Sequence, residues 1–273
     1  MGPERQLVEV DYDRGARLLD DVRHRRSVRS FEPGFALDRK ALRLICEAAR
    51  WAPSGANTQP WDLVVVDEPA TLRAVAEVFI RQADRLIVHC HSFPHVHKKH
   101  WITESVAIIL LFADPRWRRA YPITDEPAWA EEYRANTERI WLASIGAAAQ
   151  NMQLATSALG LSSAWLSGGG ETTTAAELRA VLSVPEPLVP VATIPIGWPH
   201  RRSESRWRRP LDELVHWNRF DAGRARADAD IDFYVTKLRR RAMYRAEERI
   251  EEWPGYERPL AEPQGGDDGQ MAE

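Results

Sequence analysis

The stretch IWLASIGAAAQNMQLATSALG, residues 140–160, constrains this chain more than any other. A helix on a globular surface shows one apolar stripe and one polar face. Here the side chains are apolar or small on every side, so the helix belongs between layers. The pattern predicts a long helix from about Pro127, stopped at Gly160. WDLVVV (61–66) and VAIILLFA (106–113) have no polar alternation and read as buried strands. SSAWLS (162–167) and VPVATIPIG (189–197) read as two more, the second interrupted at Pro195.

Three further helices surround these strands. LLDDVRHRRS (18–27) has helical periodicity and ends in basic residues. LDRKALRLICEAARWA (37–52) places Leu42, Ile45 and Ala49 on one face, with Asp38 as N-cap. ATLRAVAEVFIRQADRLIVHC (70–90) runs into a histidine cluster, and an irregular connection follows over 91–104. After Pro210 the chain turns helical and strongly charged. No internal repeat or linker interrupts it, so residues 1–256 read as one domain and 257–273 as a disordered tail.

Composition excludes several classes. Hydrophobic content of 44% and charged content of 28% over 273 residues describe an ordinary globular protein. A net charge of −3 argues against a general nucleic-acid binder, which needs a concentrated basic surface. Lysine stands only at 40, 98, 99 and 237, so the basic groups are nearly all arginine. Eleven tryptophans suit flat pockets or a large interface. The charged N-terminal stretch and the shortness of the longest apolar run predict a cytoplasmic chain with no membrane span. Cys46 and Cys90 do not read as a disulfide framework.

Four stretches carry chemistry. RRSVRSF (25–31) offers the guanidinium forks of Arg25, Arg26 and Arg29 with the Ser27 hydroxyl, which suit a phosphate or polyol chain. The same residues also make a solvated basic helix end, stabilised by the macrodipole. WAPSGANTQPW (51–61) is a proline-bracketed loop whose backbone can approach a planar ligand, or simply a helix-to-strand turn. GLSSAWLSGGG (160–170) is a strand entering a glycine turn, and RWRRPLDELV (206–215) sets arginines before a helix. No GxGxxG dinucleotide fingerprint is present.

Taken in order, RRSVR, APSGANTQPW and RRPLDELV resemble the nitroreductase-like FMN flavoproteins, most closely the iodotyrosine deiodinase and flavin-cleaving dimethylbenzimidazole synthase branch. The resemblance covers about residues 18–216. It implies an α+β, three-layer sandwich with a mostly antiparallel central sheet, assembled as an intertwined homodimer with FMN at the interface. It also implies that Arg25, Arg26, Ser27, Arg29 and Arg208 hold the phosphate and ribityl chain. Pro53, Ser54, Gly55 and Asn57 would line the ring, and Trp165, Leu166 and Ser167 would lie near N5. Ser167, donating to N5 through its hydroxyl or amide and favouring the reduced or semiquinone form, is the expected catalytic residue.

HCHSFPHVHKKH (89–100) falls where that family places a variable lid. His91, His95, His97 and Trp101 are the expected lid residues, offering a proton donor or a polar grip on an anionic or phenolic substrate. The spacing names no metal geometry, and no metal site is expected. The deiodinases' Glu, Tyr and Lys arrangement is not found between Glu77 and Trp101, which puts deiodination in doubt. The expected activity is NAD(P)H-driven, FMN-dependent reduction of a small nitro, quinone or halogenated aromatic. An oxygen-using flavin oxidase or dehydrogenase in a biosynthetic pathway, and a non-catalytic flavin- or metal-binding protein, are the alternatives.

Overall fold

A computed structural model describes residues 9–89, 99–121, 127–201 and 208–239. The chain divides into two units, Met1–Arg202 and Ser203–Glu273. The expected tail at 257–273 lies outside the described residues, as does most of the charged segment before it.

The first unit contains α1 (Tyr12–His24), α2 (Arg39–Arg50), β1 (Trp61–Val66), α3 (Pro69–His89), β2 (Ala107–Ala113), α4 (Pro127–Ala158), β3 (Ser162–Ser163), α5 (Thr172–Leu182) and β4 (Val189–Gly197). The strands form one sheet in the order β1-β2-β4-β3, and every ladder is antiparallel. β2 shows why the chain is layered. Successive side chains of a strand point to opposite faces. Ala107, Ile109, Leu111 and Ala113 therefore join Leu42, Ile45 and Ala49 of α2 and Trp141, Ile145 and Met152 of α4 in one core. Ile108, Leu110 and Phe112 join Leu72, Val75 and Phe79 of α3 and Leu178 of α5 in the other. Helices cover both faces, which gives the expected α+β, three-layer sandwich with an antiparallel sheet.

Local signals set the helix ends. Asp38 caps α2 by accepting from the Lys40 N–H at 3.0 Å, and Asp11 caps α1 from the Arg14 N–H at 2.9 Å. α4 ends as its sequence predicts, with Gly160 following at φ +77. Its buried face includes Trp141, Ile145, Ala148, Ala149 and Met152, while Leu142 is exposed. Within this chain alone, α4 is thus covered on one side more than on the other.

Two strand expectations need correction. Pro195 does not interrupt β4, which runs unbroken through Val189–Gly197 with Pro195 opposite Ile108. Proline removes only the donor, and the Pro195 carbonyl still accepts from the Ala164 N–H at 3.3 Å. SSAWLS is not a continuous strand. Ser162 and Ser163 pair with β4, Ala164 adds one backbone bond to Pro195, and the ladder then lapses until Leu166, bridged to Thr193. Part of the connection expected over 91–104 is regular, because Lys99–Glu104 forms a short 3-10 helix with Ile102 buried.

The second unit holds α6 (Leu211–Leu214) and α7 (Asp228–Phe233), the latter continuing as a π-helical turn over Tyr234–Leu238. Arg224 joins the segments by donating to the Val215 carbonyl at 2.8 Å. Trp217 is 85% exposed and Phe220 stacks on His216 with ring centroids 4.3 Å apart. No helix among the described residues is long and apolar enough to cross a membrane.

Candidate functional site

α1 ends at His24, and Arg25 caps it in an extended conformation. The chain then runs along the sheet edge, with Ser27 bridged in parallel to Ser163 and the Val28 N–H donating to the Ser163 carbonyl at 3.0 Å. Extended geometry alternates the side chains. Val28 is buried, whereas Ser27 and Arg29 are exposed and Arg25 and Arg26 are half-buried. A hydrophobic anchor thus holds a row of cationic and hydroxyl groups beside β3. Arg26 is further fixed by donating to the carbonyls of Arg23 and, at 3.0 Å, Arg25.

Trp165, Leu166 and Ser167 follow on the same edge. Leu166 is buried and pinned by two backbone bonds to Thr193, of 2.9 and 3.0 Å. Trp165 packs against the α2/α4 core. Ser167 is exposed, immediately before a tight turn over Gly168–Gly170. The structure therefore sets Arg25, Arg26, Ser27, Arg29 and the 165–167 segment along one edge of the sheet, with Ser27 level with Ser163 and Leu166 level with Thr193.

The loop at 53–57 belongs elsewhere in the chain. Its Gly55 N–H donates to Ser144 Oγ at 3.1 Å, and that hydroxyl donates to the Ile140 carbonyl at 2.7 Å. A Cβ at Gly55 would collide with Ile140 and lie 2.6 Å from Tyr121, so only glycine fits there. Ser54 Oγ accepts from the Gln59 N–H at 3.0 Å. Ala56, Asn57 and Gln59 all hold left-handed backbone, with φ of 50, 53 and 45. Such conformations cost about 1 to 3 kcal/mol each for ordinary residues and concentrate where a ligand is held.

Two rulers separate this loop from Ser27. Trp61 lies opposite Ala113 and Ala113 opposite Val189, whereas Ser163 lies opposite Ile196 at the other end of β4, about 23 Å further along the strand. On α4, about 18 Å of helix separates Ser144, which anchors the loop, from Thr156, whose carbonyl accepts from Leu161 at the entry to β3. One chain places the 53–57 loop and the arginine row at opposite corners of its sheet, with Leu166, bridged to Thr193, on the far edge between the two ends.

Other expected residues are placed as follows. Trp101 packs edge-on against Phe31, with centroids 5.8 Å apart. His91, His95 and His97 lie outside the described residues. Arg208 opens the described part of the second unit. Among the described residues no cluster of three or more His, Cys, Asp or Glu forms a metal site.

Sequence reasoning missed a polar group beneath the glycine turn. Gln82 of α3, 1% exposed, donates to Glu171 Oε1 at 2.6 Å and accepts from Lys99 Nζ. Its signal in the sequence was a lone amide on an otherwise apolar helix face. Burial pulls the Lys99 ammonium down to about 8, against the opposing attraction of Glu171. Nearby, Thr193 Oγ1 is buried without a hydrogen-bond partner.

A nitroreductase family model matches residues 22–198, spanning both the arginine row and the glycine turn. The chain therefore belongs to the nitroreductase family, the FMN-dependent oxidoreductases whose motifs it resembles. It is similar to a putative nitroreductase from Desulfovibrio desulfuricans solved in complex with FMN, at 32% identity and a TM-score of 0.53, over 75% of this chain and 98% of that one. It is 27% identical to a putative NADH dehydrogenase/NAD(P)H nitroreductase of Archaeoglobus fulgidus, over 64% of this chain and 81% of the relative. Similarity to the iodotyrosine deiodinase of Drosophila melanogaster, 32% over 105 residues, spans 35% of this chain and 37% of the deiodinase.

Proposed function

We propose that this chain binds FMN at a homodimer interface and catalyses NAD(P)H-driven two-electron reduction of a small nitro, quinone or halogenated aromatic. The observation that carries the reading is the row Arg25, Arg26, Ser27 and Arg29 alongside the 165–167 edge. An FMN phosphate carries nearly two negative charges, and converging guanidinium groups and a hydroxyl match that charge and its acceptor oxygens. The ring needs apolar walls and a few fixed donors. Trp165 and Leu166 supply walls, and the exposed Ser167 hydroxyl is the donor toward N5.

When bound, FMN supplies the two-electron chemistry, and the protein supplies binding, orientation and electrostatics. Pro53, Ser54, Gly55 and Asn57 of the partner subunit would complete the ring site, because the same loop of one chain lies at the far corner of its own sheet. Tyr12 and Leu18 of α1 are 82% and 61% exposed, and no residue of that helix is buried. An apolar face of this kind suits a second copy. Sedimentation of the FMN-loaded protein should report a dimer. A monomer that retains FMN contradicts the shared site.

The lid reading of His91, His95, His97 and Trp101 belongs to the same proposal, as the segment that selects substrate. The relatives' names include both nitroreductases and a deiodinase, which supports a reducible aromatic as the substrate class. The test is anaerobic. NADH or NADPH should bleach the flavin, and a nitroaromatic, quinone or haloaromatic should restore its colour. Failure of both nucleotides, with reoxidation by oxygen alone, would favour an oxidase instead.

A further inference from the structure

We propose that the side-chain relay Lys99–Gln82–Glu171, centred on the buried Gln82, positions the 167–170 turn and sets the charge beside it, with Gln82 the positioning residue and Lys99 the charge-setting one. This deepens the flavin reading above and rests on it, since the turn carries Ser167. The geometry is specific. Gln82 Nε2 donates to Glu171 Oε1 at 2.6 Å, and Gln82 Oε1 accepts from Lys99 Nζ. An ammonium has no acceptor capacity, so it fixes which end of the amide faces which partner. Gly168 lies directly against that amide, where a Cβ would come within 2.7 Å of Nε2. Glu171 closes the turn through its own backbone N–H to the Gly168 carbonyl at 3.3 Å, and then opens α5. Its second oxygen accepts from Thr174 Oγ1 at 3.4 Å. Gly168 of the turn therefore packs on one amide, and that amide is bonded on one side to a cation and on the other to Glu171.

The surrounding charges leave Lys99 and Glu171 as the responsive pair. From α3, Arg81 and Arg85 pair with Glu177 of α5 at 2.6 and 3.0 Å, and Arg85 also donates to Thr174 Oγ1 at 3.0 Å, the hydroxyl that bonds Glu171. Within the 3-10 helix that carries Lys99, His100 is exposed and Glu104 accepts from the Phe31 N–H. The Lys99 ammonium also lies 5.2 Å from the centre of the Phe79 ring. Its desolvation outweighs the pull of Glu171, so the cation is lost as pH rises through about 8. The sign follows from this. Below that pH the Lys99–Glu171 pair is neutral overall, and above it the exposed Glu171 carboxylate loses the Lys99 charge, which leaves the pair net negative beside the turn. An anion there disfavours electron gain by a nearby flavin.

Two measurements test the proposal. In flavin-free Gln82→Leu, the amides of 168–171 should lose hydrogen-exchange protection on the order of tenfold, as expected when the bond to a charged acceptor is lost. In the FMN-loaded wild type, the midpoint potential should show an extra fall with pH centred near 8. Lys99→Met should have a lowered potential at neutral pH and no such fall, and Lys99→Met/Glu171→Gln should recover toward wild type. Lys99→Arg should keep the higher potential well above that pH. Unchanged turn protection in Gln82→Leu overturns the proposal, and so does a Lys99→Met potential curve that superimposes on wild type. Should Lys99→Met fail to fold, the wild-type and Lys99→Arg curves decide alone. A protein that binds no flavin defeats the flavin reading, while the exchange experiment still tests the brace.

Discussion

Phe79→Ala is expected to destabilise the first unit by about 3 to 5 kcal/mol, the range for deleting a buried aromatic ring. Phe79 is fully buried on α3 and packs with Ile108, Leu110 and Phe112 of β2 and Leu178 of α5. Its Cζ also lies 3.6 Å from where a Gly169 Cβ would sit. Removing the ring therefore opens a cavity between the sheet and the glycine turn. The cost combines lost transfer energy with lost contacts around the void. Against a typical domain stability of about 5 to 15 kcal/mol this is a large fraction. Urea denaturation should show a lower midpoint with an unchanged slope. Phe79→Leu, which refills part of the void, should recover part of the loss. A loss below about 1 kcal/mol, the scale of exposed positions, would contradict the packing described for α3.

The layers were legible because periodicity reports burial directly. The run at 106–113 lacks alternation because β2 is covered on both faces, and the small-residue helix at 140–160 packs where backbones approach closely. Asp38 and Gly160 marked helix ends for local reasons that tertiary context did not override. Pro195 misled because a proline in a strand costs only its donor, and the sequence does not show whether that donor was needed. The short β3 was hidden because Ser162–Ser167 reads as extended throughout, while its pairing depends on where β4 ends.

For the site, the arginine row could be read, but its alternation could not. Val28 turns inward because Ser27 pairs with Ser163, a contact between segments distant in sequence. The loop at 53–57 was legible as rigid, yet its place at the far corner of the sheet follows only from strand order and register. The Lys99–Gln82–Glu171 chain joins three elements remote in sequence. No local pattern announces such a contact.

The second large effect concerns the arginine row. Each guanidinium bonded to a phosphate should contribute about 1.5 to 3 kcal/mol to FMN binding, the range for hydrogen bonds to charged groups. Arg25→Ala with Arg29→Ala should therefore cost about 3 to 6 kcal/mol, or at least a hundredfold in affinity, if the two act additively. The fold should survive the change. Val28 still anchors the segment, and its backbone bond to Ser163 needs neither side chain.

The flavin released on denaturing wild type and this double variant, identified and counted per chain, tests the central claim most directly. The account predicts FMN close to one per chain from wild type, and a strongly depleted but folded double variant. FAD alone, no flavin after reconstitution, or full FMN occupancy in the double variant would contradict it.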